Sequence, residues 1–155
     1  MDKTNSAHSR KINFTGNKVA ALTGFDSDHG LVFDDSRGYG WRRDLSQSHR
    51  KRNRVPESYR DTFIFTRNHD VWECKVPNGK WIVTVCVGDS GHEQIGQWVK
   101  IEGTQVVKNE ATATGFFREQ KVQIDVSDGR LTVEIGKQGV KTNTCLNWIC
   151  MEPAE

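Results

Sequence analysis

Three groups of side chains in this 155-residue chain have the types and spacing to recognise a ligand. The densest is the run Arg50-Lys51-Arg52-Asn53-Arg54. Guanidinium groups pair bidentately with carboxylates and phosphates, so the run suits a uronate-bearing sugar or a phosphate. The same arginines can instead pair with Asp44, Glu57 or Asp61 on a solvated loop. The second group is Tyr39, Trp41 and Arg42 in Gly38-Tyr39-Gly40-Trp41-Arg42. In extended backbone Tyr39 and Trp41 project to one face, where their rings can stack on the C–H face of a sugar. The alternative is that Trp41 packs beneath the loop as core. The third group is Gly88-Asp89-Ser90-Gly91-His92-Glu93-Gln94, in which Asp89 and His92 offer partners to sugar hydroxyls. Trp98 follows that loop as a further stacking ring, and Asn147 adds an amide near the chain end.

Catalysis is poorly served by these residues. Asp89 and Glu93 share one short loop, with nothing to push their pKa values apart or to hold them at a set separation across a glycosidic bond. Serine-histidine-aspartate motifs, phosphate-binding glycine loops and dinucleotide fingerprints are absent. The chain reads as a binding domain, not an enzyme. Nucleic acid is not expected as a partner, because the basic run has no interleaved aromatics and the formal net charge is only +2.

Asp26, Asp28, Asp34 and Asp35 cluster early in the chain, and carboxylates are calcium ligands. Asp26 and Asp28 are therefore the candidate ligands for a structural calcium, although the stretch lacks the glycine and glutamate of an EF-hand loop. Cys74, Cys86, Cys145 and Cys150 form no Cys-x-x-Cys pair, so zinc spacing is absent. They read as buried reduced thiols, with a Cys74–Cys86 bridge across a hairpin as the other possibility.

The elements that must position these groups are all strands. Lys11–Phe14, Leu31–Phe33, Thr62–Phe65, Val71–Val76, Trp81–Val87, Trp98–Glu102, Gln105–Lys108, Phe116–Val126, Leu131–Ile135 and Leu146–Met151 are short runs rich in β-branched and aromatic residues. Turn residues separate them. Pro77-Asn78-Gly79, Gly103-Thr104 and Ser127-Asp128-Gly129-Arg130 each read as a hairpin connection. Trp72, Trp81 and Trp148 sit in strands, and at least two of them belong in the core. Residues 42–60 form a long polar loop, of a length usually kept for function. No segment has an extended helical period, which predicts an all-β sandwich of jelly-roll topology. One domain over 11–151 is expected, with a disordered lead at 1–10 and a tail at 152–155. Met1–Arg10 has no apolar stretch of a secretory signal, and no window approaches the ~20 apolar residues that span a bilayer. The protein is expected to be intracellular, or a domain of a longer secreted chain.

The ordered series Gly-Tyr-Gly-Trp, Arg-x-Arg-Asn, Asp-Thr-Phe-Ile, Val-Pro-Asn-Gly-x-Trp-x-Val-x-Val, Gly-Asp, Asp-Gly-Arg-Leu-Thr-Val and Leu-Asn-Trp-Ile runs through nearly the whole chain. It resembles the galactose-binding-domain-like β-sandwich modules of bacterial polysaccharide-degrading proteins, among them malectin-like domains and carbohydrate-binding modules of families 6 and 35. The resemblance implies a jelly-roll sandwich without catalytic residues, sugar held by loops at one end or by a concave sheet face, and in several relatives a structural calcium. The residues expected to contact sugar are Tyr39, Trp41, Arg42, Arg52, Asn53, Arg54, Asp89, His92, Trp98 and Asn147. Two positions depart from the pattern: Lys51 stands where relatives often carry an acidic residue, and Cys145 where family 6 modules often carry a sugar-binding Asn. A carbohydrate is the expected partner, and among carbohydrates the basic run points to an acidic polysaccharide. The alternative is a protein-interaction or assembly module on the same fold.

Overall fold

Alternation of apolar and polar residues makes most of these runs one-sided strands. In the segment Arg130–Gly136, Leu131, Val133 and Ile135 are fully buried while Arg130, Thr132 and Glu134 are half-exposed. The structure, a computed structural model, describes residues 8–154. Its strands are β1 (Arg10–Phe14), β2 (Asp26–Asp28), β3 (Tyr39–Trp41), β4 (His49–Lys51), β5 (Thr62–Thr66), β6 (His69–Lys75), β7 (Gly79–Gly88), β8 (Gln94–Ile101), β9 (Thr104–Thr112), β10 (Phe117–Val126), β11 (Arg130–Gly136) and β12 (Thr144–Pro153). One helical turn, α1 (Ser58–Asp61), precedes β5.

The strands form a jelly-roll β-sandwich. The larger, seven-stranded sheet has the order β10-β7-β12-β1-β2, with β5 beside β12 and β4 beside β5. The smaller sheet has the order β3-β6-β11-β8-β9. Pairing is antiparallel between these strands except between β1 and β2. The core between the sheets is built on Phe14, Trp41 and Trp72, whose rings meet edge to face at 5.9 and 5.4 Å, with Ile, Leu and Val from both sheets around them.

Of the three expected hairpins, only the one between β8 and β9 is a hairpin, turning through Glu102 and Gly103, both at positive φ. The turn at Pro77-Asn78-Gly79 leads from β6 in the smaller sheet to β7 in the larger. The turn at Ser127–Arg130 leads back from β10 in the larger sheet to β11 in the smaller. The two crossings are tied together, with Gly129 N donating to Asn78 Oδ1 at 2.7 Å and Val76 N to Gly129 O at 3.1 Å. Cys74 and Cys86 consequently lie in different sheets, and all four cysteines are free, which overturns the bridge.

The second short strand is Asp26–Asp28, not Leu31–Phe33, which contributes only single bridges from its neighbourhood, Val32 to Trp41 and Asp34 to Tyr39. The long polar loop holds β4 and α1 and is anchored by Leu45, 1% exposed. Arg10 and Pro153 are both in strands, so the sheet reaches into the expected lead and tail; positions 1–7 of that lead lie outside the described residues. Among the described residues no helix is long and apolar enough to cross a membrane.

Candidate functional site

The Arg-x-Arg-Asn run, the Gly-Asp pair and the Asn-Trp of the last strand come together, and what they build is a joint. Asp89 is fully buried at the end of β7 and takes a bidentate ion pair from Arg52, at 3.0 and 2.9 Å. Gly91 N and the Gln94 amide donate to the same carboxylate. Burial works to raise the Asp89 pKa, but the Arg52 guanidinium, with Gly91 and Gln94, outweighs it and holds the carboxyl below its usual range. Asp61, at the end of α1, accepts the backbone N–H groups of Asn53, Arg54 and, more weakly, Val55, and the hydroxyl of Ser90. Burial there is likewise outweighed, by the Arg54, Asn53 and Val55 amides and Ser90, and its pKa is also lowered. Asn53 takes positive φ at 57° to make this turn. Asn147 is buried at the irregular register between Leu146 and Trp148 and donates to Thr62 O and Gly88 O. Arg52 and Asp89 thus spend their hydrogen bonds on the protein, which corrects their expected role as sugar ligands; the Asn147 amide N–H is likewise engaged while its Oδ1 is buried without a partner, and the Asn53 side chain is exposed.

Tyr39 and Trp41 do share a face, and that face is the core: they are 7% and 1% exposed. Trp41 therefore has no ring face for a sugar. Trp41 Nε1 and Trp72 Nε1 each donate at 2.8 Å to the two oxygens of Asp28, which also accepts from Gly30 N. Burial of this carboxylate raises its pKa, although the three donors oppose the shift. Asp28 is thus an internal clasp, and Asp26 pairs with Arg10 at 2.9 Å at the surface. Among the described residues no group of three or more His, Cys, Asp or Glu is placed to hold a metal ion.

The remaining expected residues are scattered. Arg42 is exposed and pairs with Glu73, and Trp98 has Lys137 Nζ lying over its ring at 4.4 Å. His92 and Arg54 have exposed side chains.

The aromatic surface that is open lies elsewhere, on the outer face of the larger sheet. Leu146, Ile149 and Met151 of β12 face the core; past the irregularity at Asn147, Trp148 and Cys150 therefore face out. The register places Cys150 between Lys11 of β1 and Thr84 of β7, with Trp148 opposite Cys86, and Cys86 opposite Glu119 of β10. Two rings from connecting segments pack onto this strip. Tyr59 of α1 meets Trp148 edge-on at 6.5 Å, and Phe25 stacks on Tyr59 at 5.8 Å with an interplanar angle of 11°. All three rings are half-buried. They line a hollow of about 320 Å³ with Lys11, Thr84, Glu119 and Glu152. Trp148 Nε1 has no oxygen or nitrogen partner and lies beside the buried Cys86 thiol. Beyond Phe25 the groove continues into a second hollow of about 350 Å³, bounded by Ser9, Arg10, Gly24 and Asp26. Nothing local in the sequence marks Phe25 and Tyr59: they lie 34 positions apart, and 123 and 89 positions from Trp148, and only the fold brings the three together. The signal for Trp148 was the core spacing of Leu146, Ile149 and Met151, which turns it outward.

No protein-family model matches the sequence, and no curated protein resembles it at a significant level. Solved structures do resemble it. Protein YxiM from Bacillus subtilis superposes over 96% of this chain with a TM-score of 0.72 at 19% identity. The plant receptor-like kinase FER does so over 95% with 0.65 at 12%, and a beta-glucuronidase of Bacteroides uniformis over 96% with 0.64 at 9%. The fold is a galactose-binding-like β-sandwich. This chain spans 40%, 42% and 18% of those three chains respectively, and at these identities the likeness concerns the fold.

Proposed function

We propose that this sandwich is a non-catalytic carbohydrate-binding module that seats a poly- or oligosaccharide along the groove on the outer face of its larger sheet. The observation that carries the reading is the trio Phe25, Tyr59 and Trp148, packed into one surface and bordered by donors and acceptors from Lys11, Thr84, Glu119 and Glu152. A sugar ring has an apolar C–H face and a rim of hydroxyls, and this surface offers a counterpart to each. Its volume is within the ~300–1,000 Å³ of ligand sites, and the adjoining hollow suits a chain of sugars. The same fold within a beta-glucuronidase keeps the reading in carbohydrate chemistry. Glu119 is engaged by Arg60 at 3.0 Å and Glu152 is exposed, so neither is set up as the desolvated acid that glycoside hydrolysis requires.

Affinity gel electrophoresis against xylan, β-glucan, galactan and polygalacturonate tests this. At least one polymer retards the wild type, and Trp148→Ala or Tyr59→Ala removes the retardation while the fold persists by circular dichroism. Unretarded migration in every polymer overturns the proposal. A protein-assembly role draws on a different feature, the exposed Ile95 and Phe116, at 66% and 69%; self-association abolished by Ile95→Ser or Phe116→Ser, together with silence in the gels, would favour it.

A further inference from the structure

A second groove has a different chemistry. Its volume is about 740 Å³, against about 320 Å³ for the aromatic hollow, and it lies where the turn at 16–19 meets the segments at 29–31 and 46–51. Lys18, Arg50 and Lys51 line it, with the imidazoles of His29 and His49 and the amide of Gln47; among the described residues no carboxylate does. Among the described residues these three cations form no salt bridge, whereas Arg10, Arg42, Arg43, Arg52, Arg60, Arg118 and Arg130 each do. Like charges gathered in one concavity without a counter-charge focus a positive potential there.

The groove is also preorganised. The Arg50 guanidinium lies over the Phe65 ring at 4.9 Å and donates to His49 O at 2.7 Å, which holds its charge at the edge the groove shares with a neighbouring hollow lined by Phe65 and Arg67. The His49 ring packs directly on Gly16, where an added Cβ would come within 2.6 Å of it. Burial, then the Arg50 charge and the neighbouring His29, lower the His49 pKa.

We propose that this groove is a second binding site, separate from the aromatic one, for a polysaccharide bearing carboxylate or sulfate groups, whose oxyanions sit among Lys18, Arg50 and Lys51. Charge-assisted hydrogen bonds from guanidinium and ammonium supply the recognition. Among the described residues no Phe, Tyr or Trp ring lines the groove to stack a base, which favours a polysaccharide over single-stranded nucleic acid. The site does not depend on the aromatic groove.

The test is binding of the whole domain to polygalacturonate, dextran sulfate, neutral galactan and a DNA oligonucleotide, at low and high salt. At least one anionic polysaccharide binds at low salt and is released by high salt. Arg50→Gln/Lys51→Gln weakens it about tenfold, equivalent to about 1.4 kcal/mol, with Tm unchanged because both side chains are exposed. Trp148→Ala leaves this binding intact, and the double variant leaves any neutral-polymer binding intact. The site is refuted if neither anionic polysaccharide binds at low salt, if the double variant binds like wild type, if Trp148→Ala removes the binding, or if DNA is held as tightly as the polysaccharides.

Discussion

Arg52→Ala separates a structural role from a ligand-binding one at the residue that sequence pattern most strongly marks for sugar. Asp89 is fully buried, and Arg52 supplies two of its four hydrogen bonds, the others coming from Gly91 N and Gln94 Nε2. Removing one partner of a buried ion pair costs about 3–5 kcal/mol, because a desolvated charge is left uncompensated. Arg52 is itself 24% exposed, so water can reach part of the gap, and about 3 kcal/mol is the appropriate figure. At about 2–4 °C per kcal/mol for a domain of this size, Tm falls by about 6–12 °C at neutral pH. The deficit depends on pH. The folded-state pKa of Asp89 is depressed, so its stabilisation is full above the unfolded value, about 3.9, and is lost as pH falls through the folded value. Wild type and variant therefore converge in acid. Thermal melts at a series of pH values read this directly, alongside glycan binding at a temperature where the variant is folded. A Tm within about 2 °C of wild type, or loss of glycan binding without loss of stability, refutes the structural assignment.

Other substitutions probe the remaining parts. Asp28→Ala leaves the Trp41 and Trp72 indole N–H groups buried without an acceptor; at about 1–3 kcal/mol for each, the domain loses roughly 2–6 kcal/mol in denaturant unfolding, and a loss below about 1 kcal/mol contradicts the clasp. In native protein a thiol reagent modifies Cys150 first. Cys74 and Cys86 are buried, with pKa values pushed up to about 11 and about 12, and Cys145 is raised further in the same direction, so these three react only on unfolding. Rapid modification of more than one thiol in native protein contradicts the packing. Binding of an anionic polysaccharide strengthens between neutral pH and about pH 5.5, since an oxyanion beside His49 favours the protonated ring that burial, Arg50 and His29 now disfavour; pH-independent affinity by calorimetry contradicts this.

Strand positions were legible because one-sided burial imprints a period of two on the sequence. Which sheet a strand joins was not. Pro77-Asn78-Gly79 and Glu102-Gly103 are both turn-forming, yet the first crosses between sheets and the second closes a hairpin. Local chemistry reverses the chain, whereas the choice of sheet follows from which side of the core the next apolar face covers. The same limit governs the site. The spacing of Tyr39 and Trp41 shows that they share a face, not which face it is. Gly40 between them is pressed on its own side against the Phe33 backbone, where a Cβ would sit 2.5 Å from Cα, so both sides of β3 are covered. Arg52 has the chemistry of a uronate ligand and uses it on Asp89, 37 positions along the chain. The aromatic groove is assembled from β12, α1 and the segment before β2, and only folding brings those rings together.

The central claim is that glycan binds on the Trp148 face of the larger sheet and away from Trp41. The indole region of a 15N-labelled NMR spectrum reports on every tryptophan separately. Titration with a soluble xylan, β-glucan or galactan oligosaccharide shifts the Trp148 indole N–H, which has no oxygen or nitrogen acceptor, and leaves Trp41 and Trp72, bound to Asp28, unmoved. Shifts of Trp41 or Trp98 without Trp148, or no shift with any of the three, would contradict it.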